Sequence, residues 1–265
     1  MFLNDYVYID GKKISYYESG FGKTTIVFLS GFGTPFAMAD MYELSTILQT
    51  KCRCIIIDRF GYGNSDIVDN SRDLDNIESE MSYVFKALDI KPQNTILVGH
   101  SVAAFYAMHI NKKLKLKGLV LIDLQKITKF KLALTKIAYN TYFVLSNTYI
   151  KKLFDSSTDK MFERSIPNKL KIDGKEIQRN KIPNICIKNE LKSICNELYS
   201  FEDNIKQSDL SKALLVCRNE TLNYNKMIAS KFKETKVLNV GKSEHYIHYT
   251  YFFEIAKEIF DYFKI

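Results

Sequence analysis

Apolar residues occur in this chain as short runs separated by longer amphipathic stretches. Two of the runs, YVYI and KISYYES, are joined at Asp10 and Gly11 and predict a leading hairpin. Six further runs predict strands at residues 24–30, 52–58, 94–99, 116–123, 213–217 and 235–240. Continuous apolar runs are typical of strands that are covered on both faces. The pattern predicts an α/β fold, a mostly parallel central sheet with helices on both faces.

Two of the stretches between or after these runs have the periodicity of amphipathic helices. Residues 71–90 place one apolar face on Leu74, Ile77, Met81, Val84, Phe85 and Leu88. Ser71 or Asp73 is suited to cap the start of that helix. The last helix is predicted from an apolar face of Phe252, Ile255, Ala256, Ile259 and Phe263.

Residues 125–208 interrupt the alternation of strands and helices. They contain helical patterns, such as KITKFKLALTKIAYNTYFVLSNTYIKKLF, and no convincing strand. An unstructured loop of this length would be implausible inside a compact domain. We therefore predict a helical lid at 125–208, inserted after the sixth strand into a core formed by residues 1–124 and 209–265.

The composition is typical of a soluble globular protein, with 46% hydrophobic and 26% charged residues in a chain of 265. No run approaches the roughly 20 apolar residues that cross a bilayer. The first residues, which are partly acidic, lack the apolar core of a signal peptide, so we expect a cytoplasmic protein. Five cysteines at scattered positions are consistent with a reducing compartment and do not form a zinc motif.

The net charge of +8 is concentrated in the predicted lid. Residues 125–208 contain 16 Lys and Arg against 9 Asp and Glu, so the rest of the chain is nearly neutral. This excess has two interpretations, a lysine-rich solvated surface or a basic mouth that attracts anionic substrates or lipid surfaces. The sequence contains no recognised nucleic-acid-binding module, and we expect no nucleic-acid partner.

The stretch NTILVGHSVAAFYAMHI carries the main candidate for chemistry. Ser101 follows an apolar run that ends at Gly99, and a helical pattern begins directly after it. This arrangement fits a nucleophile on a sharp strand-to-helix turn, where small residues at the positions of Gly99 and Ala103 avoid clashes. It also fits an ordinary serine that caps a helix. The pentapeptide alone leaves both interpretations open.

Three further stretches accompany the serine in a fixed order. LSGFGTP follows the third predicted strand, DRFGYGNSD follows the fourth, and VGKSEHYIHY follows the last. Together with the serine stretch, they resemble the α/β-hydrolase family, in particular its serine hydrolases with a helical lid. The resemblance covers nearly the whole chain. It departs from the family pattern at Ser30, where a histidine is usual, and at Ala103, where a glycine is usual.

The resemblance implies a role for several residues. Ser101 takes the place of the nucleophile, and His245 takes the place of the catalytic histidine on the loop after the last strand. The backbone N–H groups of Phe32 and Val102 take the places of the two oxyanion-hole donors. His245 and His248 form an H-x-x-H pair without an adjacent acidic or cysteine residue, so we expect no metal site.

The acid of the triad has two candidates. The family often places it on the loop after the seventh strand, where this chain has Glu220 in CRNETLN. Some members use an acid at the end of the sixth strand, which is Asp123 here. We prefer Glu220, with Asp123 as the alternative acid.

The predicted function is hydrolysis of a small-molecule ester through an acyl-enzyme on Ser101, without a cofactor. The substrate is expected to have an apolar acyl or alkyl part that the lid covers. Amide or iminopeptide cleavage and carbon–carbon bond hydrolysis use the same triad and are alternatives within the family. An alternative of another class is a ligand-binding protein on the same fold whose triad is idle.

Overall fold

The computed structural model describes residues 2–128, 133, 137, 159, 161–182, 184–198, 201 and 212–265. Within them, one sheet of eight strands has the order β1-β2-β4-β3-β5-β6-β7-β8. The strands are β1 (Leu3–Ile9), β2 (Lys12–Ser19), β3 (Thr25–Leu29), β4 (Arg53–Ile57), β5 (Thr95–His100), β6 (Gly118–Ile122), β7 (Lys212–Cys217) and β8 (Glu234–Asn239). Every strand predicted from the sequence is present, with ends that differ by one or two residues at most positions.

The sheet is antiparallel at one edge and parallel elsewhere. Strands β1 and β2 form the predicted hairpin, and β2 also pairs antiparallel with β4. Asp10 and Gly11 both have positive φ at the turn, which matches the twist of a tight hairpin. From β4 onwards all neighbouring strands are parallel. The predicted mostly parallel sheet is confirmed.

Helices lie on both faces of the sheet. In the described part of the chain they are α1 (Ala37–Asp40), α2 (Tyr42–Leu48), α3 (Leu74–Ala87), α4 (Ala103–Leu114), α5 (Asn168–Lys181), α6 (Ile185–Ser193), α7 (Leu222–Ala229), α8 (Ile247–Thr250) and α9 (Phe252–Phe263). Asp73, rather than Ser71, caps α3 by accepting a hydrogen bond from the Asn76 backbone N–H at 2.8 Å.

Two apolar layers explain why the strands read as continuous apolar runs. Side chains of α3 and α4 pack on one face of the sheet, and those of α1, α2 and α9 pack on the other. Neighbouring strand residues alternate between the layers: Val27 and Leu97 belong to the first, and Phe28 and Val98 to the second. Because both faces are covered, both sets of side chains are buried.

The predicted lid is only partly within the described residues. Helices α5 and α6 lie between β6 and β7 in the chain, as the helical patterns of 125–208 predict. Apart from residues 133, 137 and 159, the stretch 129–160 lies outside the described residues. The division into a core and a lid therefore stays a prediction. Among the described helices, none combines the length and apolar character needed to cross a bilayer.

Gly118 allows the last helix to pack directly on the sheet. A Cβ atom at this position of β6 would lie 2.3 Å from Cε1 of Phe263, whose ring is buried in the second apolar layer. We expect Gly118→Ala to destabilise the fold by about 1–3 kcal/mol, because the ring has to move. Unfolding midpoints of the wild type, each single variant and the double variant with Phe263→Leu measure this. The double variant should lose less stability than the sum of the losses in the two single variants. A Gly118→Ala protein as stable as the wild type would refute the contact.

Candidate active site

Ser101 lies on a tight turn between β5 and α4. Its φ is +55°, a conformation that non-glycine residues adopt rarely and at an energetic cost. A Cβ at Gly99 would lie 2.4 Å from the carbonyl oxygen of Ala103, so only glycine fits there. The backbone N–H of Ser101 donates to the Ile122 carbonyl at 2.9 Å and fixes the turn against β6. This is the backbone geometry that the nucleophile interpretation predicts.

His245 lies between Ser101 and a carboxylate. It is on the loop that follows β8 and precedes α8. Its Nε2 is 3.0 Å from the Ser101 Oγ, and its Nδ1 is 2.6 Å from Oδ2 of Asp123. The three side chains therefore form one continuous chain of contacts across the carboxyl ends of β5, β6 and β8.

Asp123 is a fully buried carboxylate with several donors. Besides His245, it accepts hydrogen bonds from Thr221 Oγ1 at 2.8 Å and from Arg218 Nε at 3.0 Å. The amide end of Gln125 lies beside the same group, 3.3 Å from Asp123 Oδ2 and 2.8 Å from His245 Nδ1. Four side chains thus fix the position of the carboxylate.

The donors of Asp123 also set its ionisation. Burial alone would raise the pKa of Asp123, but the hydrogen bonds from His245, Thr221 and Arg218 and the charge of His245 lower it to about 2. Because this pKa is below the ordinary value, the ionised form stabilises the fold at neutral pH. That contribution is lost as the pH falls through about 2.

The structure brings Asp123, the alternative acid, to His245, and not the preferred Glu220. Glu220 lies in the short 3₁₀ turn Asn219–Thr221 that follows β7. Its side chain is 48% exposed, and its Oε2 is 3.6 Å from Nη1 of Arg218. The turn directs Arg218 and Thr221 toward Asp123 and leaves Glu220 at the surface. The loop after β7 therefore supplies hydrogen-bond donors to Asp123 and no carboxylate to His245.

The loop after β3 lies beside the nucleophile. An atom at the Cβ position of Gly31 would be 3.3 Å from the Ser101 Cβ and 3.3 Å from the His100 Nδ1. Phe32 follows Gly31 in this loop, and Val102 follows Ser101 at the start of α4. The segments that carry both predicted oxyanion-hole donors therefore lie next to Ser101.

A second buried cluster supports His245 from behind. The ring of His100 packs against His245 at 4.7 Å and against His248 at 4.4 Å between centroids. Asp40 accepts hydrogen bonds from His248 Nε2 at 3.1 Å and from the Tyr249 hydroxyl at 2.6 Å. Burial lowers the pKa of His100 well below its usual range, and the neighbouring histidines lower it further, so His100 is neutral at neutral pH. Sequence reasoning missed this cluster, since Asp40 and His248 are 208 positions apart.

Asp40, His100 and His248 are also the described residues whose ligand atoms lie close enough to share a metal ion. One carboxylate would leave a divalent ion with net positive charge in a fully buried site, which is costly. We therefore assign the cluster to hydrogen bonding and packing behind His245.

The loop of residues 58–66 shapes the same edge of the sheet. Asp58 is fully buried and accepts hydrogen bonds from the backbone N–H groups of Ala37 at 3.0 Å and Asn64 at 3.1 Å. Burial raises the pKa of Asp58 to about 6 despite these donors. Its neighbour Arg59 donates to the carbonyl of Ser30 at 2.6 Å, which links this loop to the one that carries Phe32.

Comparison with known families agrees with this architecture. A model of the alpha/beta hydrolase family matches residues 26–155, which include β3 to β6 and the turn at Ser101. The protein has the α/β-hydrolase fold. The fold implied by the four sequence stretches is confirmed.

Among curated proteins, the uncharacterized protein YbdG of Bacillus subtilis (strain 168) is 30% identical to this chain over 130 residues. The match covers 47% of this chain and 40% of YbdG, so the chain spans about two-fifths of the length of that relative.

Solved structures with the same fold include enzymes of several kinds. E-2-(acetamidomethylene)succinate hydrolase aligns over 100% of both chains, with 16% identity and a TM-score of 0.73. The epoxide hydrolase CorEH covers 100% of this chain and 99% of its own, with 13% identity and a TM-score of 0.74. Est816, an N-acyl homoserine lactone degrading enzyme, covers 96% of this chain and 98% of its own, with 20% identity and a TM-score of 0.69. At these identities the likeness shows the fold alone.

The short contact between His245 and Asp123 gives a spectroscopic prediction that needs no substrate. A strong Nδ1–H···carboxylate hydrogen bond deshields its proton, so the wild type should show a far-downfield proton resonance coupled to histidine ¹⁵N. Asp123→Asn should move this resonance upfield or abolish it, whereas Glu220→Gln should leave it in place. If the resonance is lost in Glu220→Gln and kept in Asp123→Asn, the partner of His245 is Glu220 instead.

Proposed function

We propose that the protein is a serine hydrolase that cleaves small-molecule esters through an acyl-enzyme. The observation that carries the proposal is the chain of contacts from Ser101 Oγ to His245 Nε2 at 3.0 Å and from His245 Nδ1 to Asp123 Oδ2 at 2.6 Å. The positive φ of Ser101 supports it, since strained backbone of this kind clusters at active sites.

Each residue has one task in the proposed reaction. His245 Nε2 takes the proton of Ser101 as its Oγ attacks the carbonyl carbon, and returns that proton to the leaving alcohol. Asp123 is acceptor-only when ionised, so it fixes the Nδ1–H tautomer and stabilises the imidazolium. The N–H groups of Phe32 and Val102 bind the oxyanion, and water then cleaves the acyl-enzyme by the same steps. The reaction needs no cofactor.

Ester hydrolysis is the first choice among the chemistries that this triad can perform. The resemblance to the family implies ester chemistry rather than dehalogenase or epoxide-hydrolase chemistry, because members with those two activities carry an aspartate where this chain has Ser101. An ester has a better leaving group than an amide, so the same residues have a lower barrier to overcome with an ester substrate. Amide and carbon–carbon bond hydrolysis remain the alternatives, and we propose an apolar acyl or alkyl part in the substrate. The apolar and aromatic residues of the predicted lid that suggest this part, from Phe130 to Leu145, lie outside the described residues except for Ile137.

The alternative of another class, a ligand-binding protein whose triad is inactive, has less support. A protein that only binds a ligand has no need for a strained serine in contact with a histidine and a buried carboxylate. Here all three groups are present and within hydrogen-bond distance.

The first prediction of the proposal concerns the nucleophile. A fluorophosphonate should form one covalent adduct on Ser101, and Ser101→Ala should abolish both the adduct and the hydrolysis of p-nitrophenyl esters. His245→Asn retains the serine but removes the base, so labelling should slow by orders of magnitude. His109→Asn is the matched control and should be labelled at the wild-type rate. The Nε2 of His109 pairs with Asp75 at 2.9 Å on the surface of α4, away from Ser101. Intact and peptide mass spectrometry measure the adduct, and a folded wild type that stays unmodified would refute the proposal.

A second prediction concerns the acid. Asp123→Asn should lower kcat about 10⁴-fold, as in trypsin-like proteases, because an amide permits the wrong histidine tautomer and cannot stabilise the imidazolium. Glu220→Gln should retain nearly full activity, since its carboxylate is half exposed and contacts only Arg218 among the contacts described above. Steady-state kinetics on one aryl ester compares them. Greater damage from Glu220→Gln would transfer the role to Glu220.

A further inference from the structure

We infer that Glu190 is a positioning residue for the oxyanion loop, which we define as residues 30–33, and that it acts through Arg59 and Tyr62. The inference deepens the proposed function and rests on it. It assigns a task to α6, a helix of the segment between β6 and β7 that contributes no atom to the triad.

Glu190 is the centre of a fully buried polar cluster. Its Oε1 accepts hydrogen bonds from Arg59 Nη2 at 2.8 Å and from the Tyr106 hydroxyl at 2.7 Å. Its Oε2 accepts one from the Tyr62 hydroxyl at 2.8 Å. Three donors from the core thus converge on one carboxylate of α6, and both oxygens are used.

The same two core residues hold the oxyanion loop on either side of Phe32. Arg59 Nη1 donates to the carbonyl of Ser30 at 2.6 Å, and the backbone N–H of Gly33 donates to the Tyr62 hydroxyl at 3.3 Å. The amide of Phe32, the proposed oxyanion donor, lies between these two anchored backbone groups. The position of this amide therefore depends on Arg59 and Tyr62, which also form hydrogen bonds with Glu190.

Charge makes this arrangement depend on α6. The guanidinium of Arg59 is completely buried between the rings of Tyr62 and Tyr106, at 4.8 and 5.1 Å from their centroids. A buried cation without an anion is strongly destabilising, and Glu190 supplies the anion. Burial alone would lower the pKa of Arg59, but the charge of Glu190 raises it above its usual value. Arg59 can hold Ser30 in this place only while α6 is packed on the core.

Further contacts attach the start of α6 to the loop that carries Arg59 and Tyr62. Asn184 Nδ2 donates to the carbonyl of Gly61 at 2.7 Å, and the Cys186 Sγ donates to the carbonyl of Val68 at 2.9 Å. These bonds position the helix independently of Glu190. Loss of the Glu190 charge should therefore loosen the oxyanion loop without releasing α6.

The chain offers a matched control in a second buried pair, Arg72 with Glu80. Both oxygens of Glu80 accept from the Arg72 guanidinium, and both side chains are nearly inaccessible to solvent. This pair joins Arg72, which precedes the N-cap of α3, to the middle of that helix. It has no described hydrogen bond to the oxyanion loop. Arg72 does interact electrostatically with Glu190 and Arg59, and it lies over the ring of Phe60. Glu80→Gln thus removes a comparable buried charge close to the cluster without removing a hydrogen bond to Ser30, Gly33, Arg59 or Tyr62.

The test compares Glu190→Gln, Tyr62→Phe and Glu80→Gln. We expect Glu190→Gln and Tyr62→Phe to lower kcat and kcat/KM for p-nitrophenyl butyrate about 10- to 100-fold with little change in KM, because the oxyanion forms only in the transition state. The affinity for phenylboronic acid, which mimics the tetrahedral intermediate, should fall in proportion. Glu80→Gln should lose stability as Glu190→Gln does and keep the wild-type kcat. Equal kinetic losses in the two glutamine variants would overturn the inference.

A readout without turnover separates this inference from the proposed function. Hydrogen–deuterium exchange of the amides at residues 31–34 should accelerate at least tenfold in Glu190→Gln and Tyr62→Phe and stay unchanged in Glu80→Gln. A protein that hydrolyses no ester but shows this exchange pattern would refute the proposed function and retain the coupling. An active protein in which exchange responds equally in all three variants would refute the coupling and retain the function.

Discussion

The hydrogen bond from His245 to Asp123 depends on the way in which the parallel sheet collects loops that are distant in sequence. Strands β5, β6 and β8 run in the same direction, so their carboxyl ends, and the residues that follow them, meet at one edge. β7 lies between β6 and β8, and its own loop fills the space beneath the carboxylate with Arg218 and Thr221. A change in strand order would separate the acid from the histidine even if every side chain stayed the same.

Much of this edge could be predicted from the sequence because its signals are local. Continuous apolar runs mark strands buried on both faces, and Gly99 before Ser101 marks a turn with no room for a side chain. Both of these features depend on neighbouring residues, so they can be read from one chain. The place of the histidine after the last strand came from the family resemblance together with the order of the strands.

The acid could not be predicted in the same way. Glu220 and Asp123 both follow strands that end at the active edge, so their positions in the chain are equivalent. Their difference arises from backbone direction: Asp123 has a φ of +44° and turns inward, whereas the 3₁₀ turn after β7 leaves Glu220 half exposed. Glu190 and Asp40 were missed for a related reason, since their partners are 131 and 208 positions away. Only the assembled sheet and its helices bring those groups together.

Three of the buried carboxylates near the proposed site each have their own cation or set of side-chain donors. Glu190 neutralises Arg59, Asp40 accepts from His248 and Tyr249, and Asp123 faces His245. This pairing limits where a proton can be exchanged. The side chains of His100 and His248 are about 1% exposed, and burial keeps His100 neutral, while the side chain of His245 is 30% exposed. Of the three packed histidines, His245 alone has both a carboxylate on one nitrogen and access to a reacting group on the other. The cluster behind it can therefore hold the ring in place without competing for the proton that Ser101 would release.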